Sequence, residues 1–499
     1  MARARPRELS GGPPTGEVLD TPAAGSAAIR GSTLRGTGYV AGLLLSVISV
    51  PFVIRHLGVE DFGRFVLVTA LITLVSGLAE GGLQAVGLRE YAIRPPAQRD
   101  RLMRNLLGVR LALTLIGVAG AAAFALLAGY DGTLVVGTVL AGGGLLLVST
   151  QTLLTVPLAS NLRLGWITAI DLGRQALTVA LTLGLVVLGA ALLPFFTVTV
   201  AAGMAGLMVT AVLVRRMTPL RPAFQPGEWW MLVRDTVPYA VAIALNVAYF
   251  RIAIVLMSLL TGALETGYFA TSFRILEVLL PVPALLVGTV FPILARAALD
   301  DLARLAHASQ RIFEVSIIAG VGLVLAIELA APTIVQVLAS DAAQPSVAVL
   351  RLQAPALAAT FVAIACGYPL LSLRRHQALL LANLVALVAS VALCLALIPI
   401  WGARGAAVAT TVAEIGLATA NLLLLTRSGE SVRLSGAILG PVAIAAALGG
   451  VAIALPVTDV VRALLGTTVF LATLAALGRI PRELIEAVPR RRARSRERR

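Results

Sequence analysis

Long apolar runs, most of them over twenty residues, alternate along the chain with short polar links. About 20 apolar residues carry a helix across ~30 Å of hydrocarbon. The pattern predicts fourteen transmembrane helices near residues 34–55, 65–87, 105–128, 133–157, 166–189, 191–214, 234–260, 267–294, 310–339, 347–373, 377–400, 403–426, 434–456 and 460–478. The runs exceed the roughly 10 residues of a barrel strand and do not alternate, so the expected class is an all-α integral membrane protein. Residues 1–31 are rich in Ala, Gly, Pro and Arg and hold few bulky apolar side chains. They read as a disordered tail. The first apolar run begins near Leu34, too far from Met1 for a cleaved leader, and reads as an uncleaved span.

The links carry a repeat, and a repeat constrains architecture before any single residue is weighed. Gly58-Val-Glu-Asp61-Phe-Gly63-Arg-Phe65 and Gly262-Ala-Leu-Glu265-Thr-Gly267-Tyr-Phe269 both read G-x-x-acid-x-G-x-F, 204 residues apart. Each is expected to be a tight polar link between two spans. Pro157-Leu-Ala-Ser160-Asn-Leu-Arg163 and Pro369-Leu-Leu-Ser372-Leu-Arg-Arg375 share P-L-x-S-x-x-R, 212 apart. A weaker echo joins Gly189-Ala-Ala191 to Gly405-Ala-Ala407. Matching links fall six spans apart, an even number, so the expected halves are two parallel six-helix lobes around a central cavity, with two C-terminal helices outside both. The division is a tail over 1–31, an N-lobe over 32–218, a cytoplasmic linker over 219–233, a C-lobe over 234–427, the last two spans within 428–478, and a basic tail over 479–499.

Composition agrees. The chain is 58% hydrophobic and 13% charged, against about 25% charged in soluble domains. The net charge of +15 comes entirely with arginine, since the sequence has no lysine. The arginines lie in the links: 31 of the 40 fall on one side of the expected topology, five on the other, and four inside spans. That bias points to orientation rather than to nucleic acid, and predicts cytoplasmic N and C termini in a cell inner (plasma) membrane. Trp229 and Trp230 are expected at the cytoplasmic headgroup level. Cys366 and Cys394 lie in apolar runs and read as small core hydrophobes. The three histidines are scattered, without metal-ligand spacing.

Charges inside spans are costly and are the first candidates for function. The basic set is Arg110, Arg174, Arg251 and Arg274; the acidic set is Glu80, Asp171, Glu277, Glu314, Glu328 and Glu414; Asn246 and Asn383 add neutral polarity. Asp171 and Arg174, and Arg274 and Glu277, stand three apart and can pair on one helix face. Arg251 has no acid within a helical turn, so it snorkels, finds an acid on another helix, or faces a water-filled cavity. Arg110, near a span end, is expected to snorkel. Guanidinium is permanently charged and grips phosphate oxygens in a fork, so Arg251, Arg274 and Arg174 are the candidate substrate contacts. Glu277, Asp171, Glu80 and Asn246 are candidate orienting or coupling groups. No cofactor is implied, with H⁺ or Na⁺ coupling left open through the buried acids. Glu60-Asp61 also invites a glycosyltransferase reading, but its recurrence as Glu265 and the short external links favour a structural role. Pro51, Pro157, Pro238, Pro281, Pro283, Pro292 and Pro369 are expected kinks or hinges.

Together these features resemble the Wzx-type polysaccharide flippases of the multidrug/oligosaccharidyl-lipid/polysaccharide exporter superfamily, over about 34–478. Leu57–Gly63, Thr261–Tyr268, Phe273-Arg-Ile-Leu-Glu277 and Gly402-Ala-Arg-Gly-Ala-Ala407 carry the resemblance. It implies two lobes in a V, alternating access, and transport of a polyprenyl-pyrophosphate-linked oligosaccharide to the external leaflet for surface polysaccharide or lipopolysaccharide biosynthesis. It further implies membrane lipids, a glycan polymerase and a chain-length regulator as partners, with no enzymatic activity and no nucleic acid. Related sequences often carry Asp two residues after the equivalent of Arg251; Ala253 stands there, leaving Arg251 more available to an anion. The alternatives are a lipid II flippase, a multidrug antiporter and a membrane glycan polymerase or glycosyltransferase.

Overall fold

The computed structural model describes residues 24–427 and 436–479. The basic tail beyond Arg479, Arg433 and the residues before Ala24 lie outside that range. All regular elements among the described residues are helical: α1 (Ala24–Glu80), α2 (Leu83–Ile93), α3 (Pro96–Leu127), α4 (Gly132–Leu154), α5 (Val156–Ser160), α6 (Leu164–Val187), α7 (Leu192–Val214), α8 (Pro226–Leu260), α9 (Ala263–Leu279), α10 (Pro281–Gly288), α11 (Phe291–Asp300), α12 (Leu302–Ala339), α13 (Pro345–Ser372), α14 (His376–Thr426), α15 (Leu439–Gly450) and α16 (Asp459–Ala476). Twelve helical segments of the described chain are long and apolar enough to cross a membrane. Large apolar side chains such as Ile116, Leu127, Val187 and Ile400 point outward, exposed. A bundle that turns its apolar faces outward uses lipid as solvent, and the chain is a multi-pass membrane protein.

The links are shorter than the sequence suggests. The expected link 57–65 shrinks to one non-helical residue, Gly58 (φ 73°, ψ 174°), where α1 breaks into two arms. Glu60 and Asp61 already lie in the first turn of the second arm, where negative charge suits the helix dipole. Likewise Thr261 and Gly262 alone separate α8 from α9, whose first turn holds Glu265. A matching break interrupts α14 at Gly402 (φ 54°). Helix α1 begins at Ala24, inside the stretch expected to be a tail. Pro157, Pro281 and Pro292 sit at the first or second position of new helical segments, as expected of breakers. Helices α1 and α13, by contrast, run on through Pro51 and Pro369.

The second repeat motif holds at the level of backbone conformation. Leu162 (φ 54°) and Arg374 (φ 58°), equivalent positions, are both left-handed without being glycine. In each copy the next residue's N–H reaches back to a carbonyl five earlier, Arg163 to Leu158 at 2.9 Å and Arg375 to Leu370 at 3.0 Å. This closes the orphan carbonyls at a helix end. Contacts between links align the elements end to end. His56 meets the Ala190 carbonyl at 2.7 Å, Tyr130 meets Ser258 at 2.6 Å, and the Ala403 N–H donates to Glu265 at 2.8 Å. These links share one end of the bundle, the Gly58 end. There, Val53, Ile54 and Phe62 of α1 pack in one core with Ala331 and Val335 of α12 and Leu350 of α13.

The opposite end carries most link arginines. The segment before α8 is clasped to α2 and α3: Arg94 binds Glu228 at 2.5 Å, Ala223 N–H donates to Arg104 O at 2.8 Å, and Arg101 donates to Gln225 at 2.8 Å. Burial works to lower the Arg94 pKa, but Glu228 and Glu90 outweigh it and hold the guanidinium above its ordinary value. Trp229 packs on Phe224 and donates to Ala223 O at 3.2 Å, while Trp230 is exposed. Cys366 and Cys394 are buried and free.

Candidate functional site

Helices α8 and α9 run antiparallel from their shared link, which brings Arg251 onto the face of α9 that carries Arg274 and Glu277. The Glu277 carboxylate takes both guanidiniums: one oxygen pairs with Arg251 Nη2, and the other accepts from Arg274 Nη1 at 2.6 Å. Of the three fates open to Arg251, two are realised: it pairs with an acid on another helix and it lines a cavity. All three side chains also line a cavity of 210 Å³, whose other wall is Ser46, Val53 and Thr69 of α1 with Gln175 and Thr178 of α6. The cavity is thus walled by elements of both repeat copies. Arg251 and Glu277 also line a larger space of 760 Å³ among α8, α9, α13 and α14, together with Asn246, Asn383 and Glu414.

Two guanidiniums and one carboxylate leave one net positive charge. Each guanidinium has five N–H donors, so a single shared carboxylate leaves donors free on both. Such spare donors suit the non-bridging oxygens of a phosphate. The triad's side chains are partly exposed (17% for Arg251, 33% for Arg274, 24% for Glu277), so an incoming anion need not displace the whole network.

The other candidates divide. Asp171 and Arg174 make no ion pair with each other among the described residues, contrary to the expectation from their spacing. Arg174 instead runs between α4 and α7, its Cδ against Gly206 beside Gln151. Both line a separate cavity of 480 Å³ bounded by α1, α4 and α6. Arg110 does not snorkel. It is 2% exposed and donates to Glu80 at 2.9 Å and to the Ala79 carbonyl at 2.9 Å, locking α3 to the end of α1. That engagement gives Glu80 a structural partner. Glu314 accepts from Gln310 at 2.8 Å, Glu328 stands 3.8 Å from Arg351, and Glu414 accepts from Thr360 at 3.2 Å.

Glu60 and Asp61 both pair with Arg64, at 3.0 and 3.2 Å, along one helix face. Glu265 accepts from the Ala403 amide, so in both copies the acidic motif makes contacts within or between links. Sequence reasoning passed over Gln151. It is 1% exposed, and neither its side-chain oxygen nor its nitrogen has a hydrogen-bond partner. The signal was available in Ser149-Thr-Gln-Thr152, a polar cluster inside an apolar run.

The chain belongs to the polysaccharide biosynthesis protein family, whose model matches residues 28–298, more than half its length. The resemblance to Wzx-type flippases read from the repeat motifs therefore holds. No curated protein matches the sequence. Among solved structures, the fold is similar to the lipid II flippase MurJ in an inward closed conformation, with TM-score 0.73 and 13% identity, covering 92% of this chain and 100% of that one. It is also similar to a multidrug resistance MATE transporter of the MOP superfamily in an inward-facing conformation (TM-score 0.64, 13% identity, 77% and 94% covered). An outward-facing MATE structure matches at TM-score 0.54 with 15% identity, covering 81% and 95%. The fold is one that solved flippase and multidrug-transporter structures share.

Proposed function

We propose that the protein flips a polyprenyl-pyrophosphate-linked oligosaccharide from the cytoplasmic to the external leaflet of the inner membrane, for surface polysaccharide biosynthesis. The observation that carries this is the Arg251–Glu277–Arg274 triad in a cavity walled by both repeat copies. A pyrophosphate is the part of such a cargo that most resists leaving water, and a net-positive, donor-rich wall offsets that cost. The arginine bias supports cytoplasmic termini. Treating the breaks at Gly58 and Gly402 as reversals of direction turns the twelve apolar segments into fourteen crossings, in two parallel six-helix lobes with α15 and α16 outside them. The packed core at the Gly58 end, and the better fit to an inward-facing than to an outward-facing MATE, support a state closed externally, one arm of an alternating-access cycle. A glycan polymerase and a chain-length regulator would act on the product.

The test is translocation in proteoliposomes, with a fluorescent lipid-linked oligosaccharide placed in one leaflet and read by quenching from outside. The account expects protein-dependent equilibration with no new glycosidic bonds. New bonds would establish the polymerase reading instead. Lipid II offered in parallel, a cargo with the same pyrophosphate, separates the two flippase readings by which cargo moves.

A further inference from the structure

The 480 Å³ cavity bounded by α1, α4 and α6 does not touch the triad, yet it is strongly polar for the interior of a membrane protein. Gln151 is buried there with its whole amide unpaired, and the Arg174 Nε is buried and unpaired beside it. An unmet buried polar group costs about 1–3 kcal/mol, and the protein itself supplies no partner to these atoms. The remaining polar wall offers Gln84, Thr155, Thr168, Gln175 and the carboxylate of Asp171, with Arg35 and Tyr39 contributed by α1. Arg174 and Arg35 disfavour a cation, and Asp171 offsets one of their two charges. What remains is a set of planar amide, guanidinium and carboxylate groups with hydroxyls, donors and acceptors side by side. That is the complement of a polyhydroxyl ring, whose every OH both donates and accepts. The size lies within the ordinary range of small-molecule sites, about 300–1,000 Å³.

Continuity with the triad comes from two shared residues. Ser46 of α1 and Gln175 of α6 line both this cavity and the one holding Arg251, Arg274 and Glu277. Arg174 and Gln175 are neighbours on α6, the first lining the 480 Å³ cavity alone and the second lining both. We propose that this cavity is a saccharide subsite, with Gln151 and Arg174 bonding the hydroxyls of a sugar whose pyrophosphate lies on the triad. The proposal rests on the flippase reading.

The experiment compares two probes on purified protein in lipid nanodiscs. One is undecaprenyl pyrophosphate, which has no sugar; the other is the lipid-linked oligosaccharide pool extracted from the membranes of the producing cells. In the Gln151→Leu variant an unpaired buried amide gives way to an apolar group of similar size, which preserves the fold or stabilises it. The variant should bind the sugar-free probe as the parent does and the sugar-bearing probe about tenfold more weakly; Arg174→Gln should follow the same split. Equal affinity of parent and variants for both probes would overturn the subsite and leave the cavity to water, with the flippase reading intact. Failure of the unaltered protein to bind either probe would overturn the flippase reading, and the subsite with it.

Discussion

Gly63 of α1 and Gly267 of α9, equivalent positions in the two copies of the repeat, lie against each other with no room for a methyl group. A Cβ on Gly63 would stand 2.5 Å from the Ala263 carbonyl oxygen, and one on Gly267 would stand 2.0 Å from that of Val59. The halves therefore meet backbone to backbone, the close approach that small residues allow between helices in lipid.

Gly267→Ala should accordingly force the two helices apart at the Gly58 end, at a cost of about 1–3 kcal/mol, the usual range for overpacking. Gly262→Ala, where a Cβ would meet nothing within 4 Å, serves as control. Thermal unfolding of the two purified variants should show a clear loss for the first and little change for the second. Equal behaviour would mean the crossing is not tight.

The two helix breaks should differ in their tolerance of a side chain. Both glycines have positive φ, which costs a non-glycine residue about 1–3 kcal/mol. At Gly58 that is the whole penalty, since nothing lies within 4 Å of a Cβ. At Gly402 a Cβ would also stand 2.5 Å from the Glu265 oxygen that accepts from the Ala403 amide. Gly402→Ala should lower the melting temperature more than Gly58→Ala does, and the reverse order would count against the Glu265 contact.

The buried ion pair predicts an asymmetry. Arg110 is enclosed, whereas Glu80 is 42% exposed. Glu80→Ala strands a buried guanidinium, while Arg110→Met removes the buried charge and leaves an acid that water can reach. Stranding one member of a buried pair is the costlier change. Thermal stability and extraction yield should fall further for Glu80→Ala than for Arg110→Met.

The sequence made some of this legible and hid the rest, for physical reasons. Apolar run length and the repeat motifs were enough for the helical class, because lipid demands internally satisfied backbone over a set length. The repeat motifs also located Gly63 and Gly267, but only packing shows that they touch. The pairing of Arg274 with Glu277 was visible from spacing, while that of Arg251 with the same acid depends on the antiparallel course of α8 and α9. Asp171 and Arg174 had the same favourable spacing and do not pair, because Arg174 extends toward α4 and α7 instead. Spacing on one helix states what is possible, and the neighbouring helices decide. Link lengths were overestimated because Glu60, Asp61 and Glu265 look like loop residues in a linear reading, yet are well placed in the first turn of a helix.

The central claim is that Arg251 and Arg274, which share one carboxylate, keep N–H donors free to bind a pyrophosphate, and the binding of undecaprenyl pyrophosphate to three variants of matched thermal stability tests it most directly. Arg251→Gln and Arg274→Gln should each weaken binding by about tenfold or more, the scale of a lost charge-assisted contact. Glu277→Gln, which removes the competing anion and leaves both guanidiniums, should bind as tightly as the parent or more tightly. If Glu277→Gln loses affinity as severely as the arginine variants, or if none of the three changes it, the triad is a structural clamp and the anion binds elsewhere.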